Sequence, residues 1–188
     1  MEPRESRSLP AWLEDATRID HAVYAAVART PSPTLDRAMR GLSSAADLSK
    51  LNVAVAGVLA VAGGSRGRRA ARDGLVAIGV ASAVINTLIK PVAKRGRPDR
   101  AGHEVPDVRH VPMPTSRSLP SGHTASAFAL ATAAGHVLPQ AAGPLRLFAA
   151  LVGYSRVHTG VHYPGDVVLG ALLGTTLAQA TAHVLERT

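Results

Sequence analysis

Apolar residues gather in five runs, at residues 51–64, 75–89, 124–138, 145–154 and 167–185. None reaches the roughly 20 uninterrupted apolar residues of an ideal spanning helix. The last comes nearest, but carries Thr, Gln and His. Almost no run has a charged stripe, which the outer helices of a soluble bundle need. Alanine and glycine abound, and Gly170 and Gly174 have the small-xxx-small spacing of closely packed membrane helices. The runs therefore predict helices buried in one another and in lipid. A soluble all-helical bundle is the competing reading, favoured by the short lengths and a mean hydropathy of only +0.11.

Upstream, residues 15–29 (DATRIDHAVYAAVAR) and 33–42 mix charge with apolar residues at helical spacing. Ile19, Val23, Ala26 and Val27 share one face. These predict two amphipathic helices that lie on a membrane or cap the bundle; an ordinary soluble helix pair is the alternative. TPSP at 30–33 reads as the turn between them. The start, MEPRESRSLPAW, is polar and lacks the apolar core of a signal peptide, so any insertion uses internal segments. The fold expected is all-α: a membrane bundle of five to six helices with N-terminal amphipathic helices. It forms one domain over residues 1–188, with the amphipathic helices in 1–47 and the helical core and active site in 48–188.

Three polar stretches separate the runs: arginine-rich 64–73, proline-rich 90–122, and 155–166 (SRVHTGVHYPGD). If each run crosses once, 90–122 and 155–166 meet on one face. The turn PQAAGP at 139–144 then lies on the other.

Composition narrows the partners. Hydrophobic residues make up 46% of the 188, charged residues only 18%, and the formal charge is +8, nearly all from arginine. Such an excess suits nucleic acid, anionic lipid or a phosphorylated substrate. Aromatics are too few for base-stacking platforms, and no nucleic-acid-binding motif is present. The absence of cysteine excludes disulfides and thiolate metal sites and leaves the redox compartment open.

Candidate chemistry lies on the shared face. KPVAKRGRP (90–98) brings Lys90, Lys94, Arg95 and Arg97; Lys94 and Arg95 read as membrane-flanking charges. LPSGHTAS (119–126) opens a helix with Ser121 as a cap, and free N–H groups there suit phosphate. His123 is either a capping histidine or functional. In the third stretch His158 and His162 have i, i+4 spacing, but Gly160 and Pro164 oppose a helix there and the glutamate of a zinc HExxH site is missing. His103, Glu104, Asp107 and His110 are other ligand types in the long loop. Asp166 could cap the last helix and also orient a histidine; Arg156 is an anchor or an anion holder. Histidines among arginine forks are what phosphoryl transfer requires, since charge on the transferring oxygens needs preplaced donors.

These residues resemble the type 2 phosphatidic acid phosphatase family of membrane lipid phosphatases. Lys90 to Arg97-Pro98 is similar to its Lys-x6-Arg-Pro part. Pro120-Ser121-Gly122-His123 matches the second part, and Ser155-Arg156, His162 and Asp166 match Ser-Arg-x5-His-x3-Asp. The resemblance implies that His162 attacks phosphorus and becomes a phosphohistidine. It implies that Asp166 holds its tautomer, and that His123 protonates the departing oxygen and then activates water. Lys90, Arg97, Arg156, Ser121 and the Gly122 amide would hold the phosphate, with no metal and no cofactor. His158 would sit at the pocket edge. A six-helix family core leaves one helix to be supplied from the N-terminal part.

The partners implied are a lipid phosphate substrate and membrane lipids, without nucleic acid; oligomeric state is not indicated. Substrate types include polyprenyl pyrophosphate, phosphatidic acid, phosphatidylglycerol phosphate and a polyprenyl-phosphosugar phosphate. The alternatives are a non-catalytic anionic-lipid-binding membrane protein and a vanadate-dependent haloperoxidase-like enzyme. Compact size and an arginine- and alanine-rich composition look bacterial and tilt the choice towards polyprenyl carriers. The expected location is the cell membrane, multi-pass. The positive-inside rule places 64–73 in the cytoplasm and the active site outside, although 90–117 is as basic.

Overall fold

The computed structural model of the protein describes residues 10–30 and 32–187. The first nine residues, most of the polar start, and Pro31 of the TPSP turn lie outside the described residues. Those described form seven α-helices: α1 Ala11–Arg29, α2 Pro33–Ala45, α3 Lys50–Ala62, α4 Gly64–Val84, α5 Gly122–Val137, α6 Pro139–His158 and α7 Pro164–Leu185. A five-residue π-helical segment, Ile85–Ile89, extends α4 to Lys90. The bundle is all-helical, as the apolar runs predict. Gly64–Ile89 and Pro164–Leu185 are long and apolar enough to cross a membrane. The bent pair Pro33–Ala45 with Lys50–Ala62 is a third candidate.

Two connections expected to be loops are helical. The arginine-rich stretch 64–73 is the first half of α4 rather than a polar link. Its charges do not oppose helix formation because arginine is a good helix former. Arg69 and Arg72 pair with Asp73, at 3.6 and 2.7 Å. PQAAGP is likewise the start of α6, because proline at the first helical position gives up only an N–H that has no partner anyway. The turn there shrinks to Leu138.

α5 is the central helix. It packs against α4, α6 and α7, and its Ala125, Ala127, Ala129, Leu130 and Ala134 are fully buried. Small residues bring α7 close: a Cβ on Gly174 would lie 2.2 Å from the Ala125 carbonyl oxygen, and one on Gly170 2.6 Å from that of Ser121. This is the close approach that the Gly170/Gly174 spacing anticipates.

α1 and α2 cover the end of the bundle from which α5 and α7 start. α1 buries Asp20, Tyr24 and Ala28, while Ile19 and Val23 stand 65% and 45% exposed. Ile19 and Val23 of the predicted face therefore point away from the protein, while Val27 packs on the cluster around Tyr24 and Ala28. α2 turns Asp36, Met39 and Ser43 inward. The polar side chains of this N-terminal layer reach the end of the bundle where α5 and α7 begin.

Candidate active site

Each expected site residue sits at a helix end or on the segment between α4 and α5. Tight turning of the chain after α6 places His162. α6 stops at His158, Gly160 takes φ +69°, and the amides of Val161 and His162 both donate to the Arg156 carbonyl. His162 is 2% exposed. Its Nδ1 lies 3.4 Å from Asp166 Oδ2, and its Nε2 lies 3.3 Å from Arg97 Nη1. One tautomer satisfies both contacts: Nδ1–H donates to Asp166, and the Nε2 lone pair accepts from Arg97. Burial lowers the His162 pKa to about 4. The hydrogen bond to Asp166 opposes that fall, and the charges of Arg97 and Arg156 add to it. The ring is therefore neutral at pH 7, with Nε2 facing Arg97.

Asp166 is fully buried and heavily partnered. Oδ2 accepts from the Tyr163 amide at 2.9 Å and from the Ser118 hydroxyl, and Oδ1 accepts from Arg95 Nη1 at 3.1 Å. It is not the first cap of α7 but its third residue, bonded back to the Tyr163 amide, since the helix begins at Pro164. Arg95, expected as a membrane-flanking charge, instead bridges Asp166 to Asp20 of α1 and stacks 4.3 Å over the Tyr163 ring. Asp20 also accepts from the Gly165 amide at 2.7 Å.

The cations converge from three segments. Lys90 Nζ and Arg97 Nη2 each lie 3.3 Å from Ser116 Oγ, and Arg97 also donates to the carbonyls of Ser116 and Val161. Burial lowers the pKa of both, and for Lys90 the charge of Arg97 adds to this. Arg156, 1% exposed, gives Nη1 to the carbonyl and hydroxyl of Ser43 on α2. Its Nε and Nη2 are buried with no hydrogen-bond partner among the described residues. A buried, unsatisfied guanidinium edge is costly. An anion beside Arg97 and His162 removes that cost.

Ser121 stands at the N-cap of α5 but makes no capping bond. Its hydroxyl accepts from Thr124 Oγ1 at 2.9 Å, and its amide donates to the Asp166 carbonyl. Gly122 lies beside Lys90: a Cβ there would meet Nζ at 3.7 Å. His123, Gly122 and Lys90 line a cavity of about 360 Å³ with Ile85, Asn86 and Met113. A π-helical segment often marks a functional site, and here Ile85 and Asn86 of that segment form part of the cavity wall. His123 Nε2 lies 3.1 Å from Asp47 Oδ1.

His158 and His162 do not converge. His158 Nε2 contacts Asp36 Oδ1 at 2.8 Å, and Asp36 also pairs with Arg109 at 2.8 Å. The helix that would align the two rings ends between them. Among the described residues no cluster of three or more His, Asp or Glu could hold a metal ion, the loop residues His103, Glu104, Asp107 and His110 included.

Residues 73–188, nearly two-thirds of the chain, match the PAP2 superfamily. The chain belongs to that superfamily. It is 34% identical over 175 residues to a decaprenylphosphoryl-5-phosphoribose phosphatase of Mycobacterium tuberculosis, covering 87% of this chain and 89% of that protein. It is 40% identical over 95 residues to the undecaprenyl-diphosphatase BcrC of Bacillus subtilis, about half of each chain. Its fold is that of a PAP2-type phosphatidylglycerolphosphate phosphatase from Bacillus subtilis. The TM-score is 0.69 at 23% identity, over 95% of this chain and 88% of that one. Aquifex aeolicus LpxE gives 0.68 at 24%, over 88% and 95%.

The PAP2 signature residues thus gather at one end of the bundle. The residues that tie them down, Asp20, Ser43, Asp47, Arg95 and Ser118, lie outside the signature. Three of the five come from the N-terminal segment, ahead of residue 73. No signal in the sequence marked them: Asp20 interrupts no apolar run and carries no motif, and Ser43 and Ser118 are uncharged.

Proposed function

We propose that the protein is an integral membrane phosphatase that hydrolyses a lipid phosphate through a phosphohistidine on His162. The observation that carries this reading is the gathering of arginine charge around His162 Nε2. Arg97 lies on the attacking nitrogen, and the unpartnered Nε and Nη2 of Arg156 are buried nearby. Arg97, Arg156 and Lys90 supply the positive charge that phosphoryl transfer otherwise takes from a metal. Asp166 keeps the proton on Nδ1 and stabilises the cation formed when Nε2 bonds to phosphorus. His123, which lines a cavity with Lys90 and Gly122, protonates the departing oxygen and then takes a proton from water.

The substrate class follows from the relatives with near-complete coverage, named as phosphatases of a decaprenylphosphoryl sugar phosphate in two mycobacteria. We place this chain among phosphatases of polyprenyl-carrier phosphates in a bacterial membrane, multi-pass, with the active site facing outward. The outward-pointing face of α1 (Ile19, Val23) and Val168 of α7 share one groove. This supports α1 lying at the bilayer surface where α7 enters it.

The test is phosphate release from purified protein over a panel of polyprenyl monophosphate, polyprenyl pyrophosphate, polyprenyl-phosphosugar phosphate, phosphatidate and phosphatidylglycerol phosphate. Turnover is expected to favour the polyprenyl substrates and to be unchanged by EDTA. His162→Ala is expected to lower kcat by at least about a thousandfold while the protein stays folded. Turnover retained in that variant removes the covalent mechanism.

A further inference from the structure

His123 has a carboxylate partner of its own. Asp47 opens the short 3₁₀ turn Asp47–Ser49 that joins α2 to α3, and Ser49 is held at φ 57°. Asp47 Oδ1 lies 3.1 Å from His123 Nε2, and both side chains line the cavity that holds Lys90 and Gly122. Asp47 belongs to none of the three signature motifs and precedes the residues that match the superfamily. The site thus contains two carboxylate–imidazole pairs, Asp166 with His162 and Asp47 with His123.

We infer that Asp47 is a positioning residue for His123, which it orients for handing a proton to the departing oxygen. This rests on the lipid-phosphatase reading above. With Nε2–H committed to Asp47, Nδ1 is the nitrogen left to exchange a proton with substrate. In the first step the His162 Nε2 lone pair forms the N–P bond and the bond from phosphorus to the lipid oxygen breaks. The proton on His123 Nδ1 goes to that oxygen. In the second step a water oxygen bonds to phosphorus, its proton goes to His123 Nδ1, and the N–P bond breaks. Inorganic phosphate leaves and both histidines are restored. A carboxylate at hydrogen-bond distance favours the imidazolium needed for the first step and fixes the tautomer needed for the second.

The two kinds of leaving group separate positioning from a merely structural role. An alkyl oxygen needs a proton as it departs; 4-nitrophenolate does not. The full-length enzyme in detergent is assayed with a polyprenyl monophosphate and with 4-nitrophenyl phosphate, reading kcat/KM, which ends at the first irreversible step. Asp47→Asn is expected to cut kcat/KM for the alkyl phosphate at least about tenfold, and for 4-nitrophenyl phosphate less than about threefold. It also moves the alkaline limb of the alkyl-phosphate profile to lower pH. Asp47→Glu, which keeps the charge, recovers part of the loss and serves as the reading if the Asn variant does not fold. In a His123→Ala background, Asp47→Asn adds nothing. Equal losses on both substrates, no loss on either, or additivity with His123→Ala overturns the inference. A wild type without lipid-phosphate turnover removes the function itself. An active wild type beside an Asp47→Asn variant that loses nothing removes only the role of Asp47.

Discussion

The difference between the two histidines of SRVHTGVHYPGD is one of partners rather than burial, since both are 2% exposed. His162 faces a carboxylate on one nitrogen and an arginine on the other. His158 faces Asp36 and, through Nδ1 at 3.3 Å, the Tyr154 hydroxyl. His158→Ala therefore acts on folding: stability should fall by about 1–3 kcal/mol as Asp36 loses a buried partner. Turnover should fall less than about tenfold, checked by thermal unfolding beside phosphate release. For His162 the pH dependence carries a sign. Its folded pKa of about 4 lies below the ordinary histidine value of 6.5. The unfolded chain thus takes up the proton first, and this contribution to stability is full above pH 6.5 and lost as pH falls towards 4. The acid limb of kcat/KM should likewise fall well below 6.5 in a pH–rate profile of the free enzyme. The signature made the reacting residues legible. Arg95 was not, because one arginine of a basic cluster beside a membrane segment looks the same in sequence whether it meets headgroups or Asp166.

At the scale of elements, every apolar run became a helix, because long runs without a polar stripe have no other way to satisfy their backbone in an apolar setting. The errors fell where charge or proline was taken for a loop, at 64–73 and 139–144. There helix formation depended on an ion partner, Asp73, and on proline's position in the first turns. Helix contact rests on glycine at a few places and is indifferent to it at others. Gly174→Leu should destabilise by about 3 kcal/mol, since even its Cβ overlaps the Ala125 carbonyl and α7 must move off α5. Gly79→Ala, on α4 with nothing within 4 Å of the added carbon, should be stabilising by about 0.4–1 kcal/mol. Thermal unfolding in detergent distinguishes the two. A loss of activity larger than the loss of fold at Gly170→Ala would fit its contact with the Ser121 carbonyl at the start of α5.

For the whole molecule, the signature residues lie at one end of the bundle and exposed Arg66 and Arg68 of α4 at the other. A residue count alone nearly balances the two ends. The structure changes the weight of that count. At the site end Arg95, Arg97, Arg109 and Arg156 are tied to carboxylates, carbonyls and His162, which leaves Lys94 and Arg117 exposed there against Arg66 and Arg68 at the other end. Free juxtamembrane arginines are drawn to the anionic cytoplasmic leaflet, so the expected position of the proposed site is the outer surface. The chain contains no cysteine, so single introduced thiols report position without a background. Ser65→Cys at the start of α4 and Asp107→Cys on the segment before α5 are both exposed positions away from the reacting groups. In intact cells a membrane-impermeant maleimide should label Asp107→Cys and reach Ser65→Cys only after permeabilisation. The reverse pattern would turn the active site inward and assign the enzyme a substrate pool on the cytoplasmic leaflet.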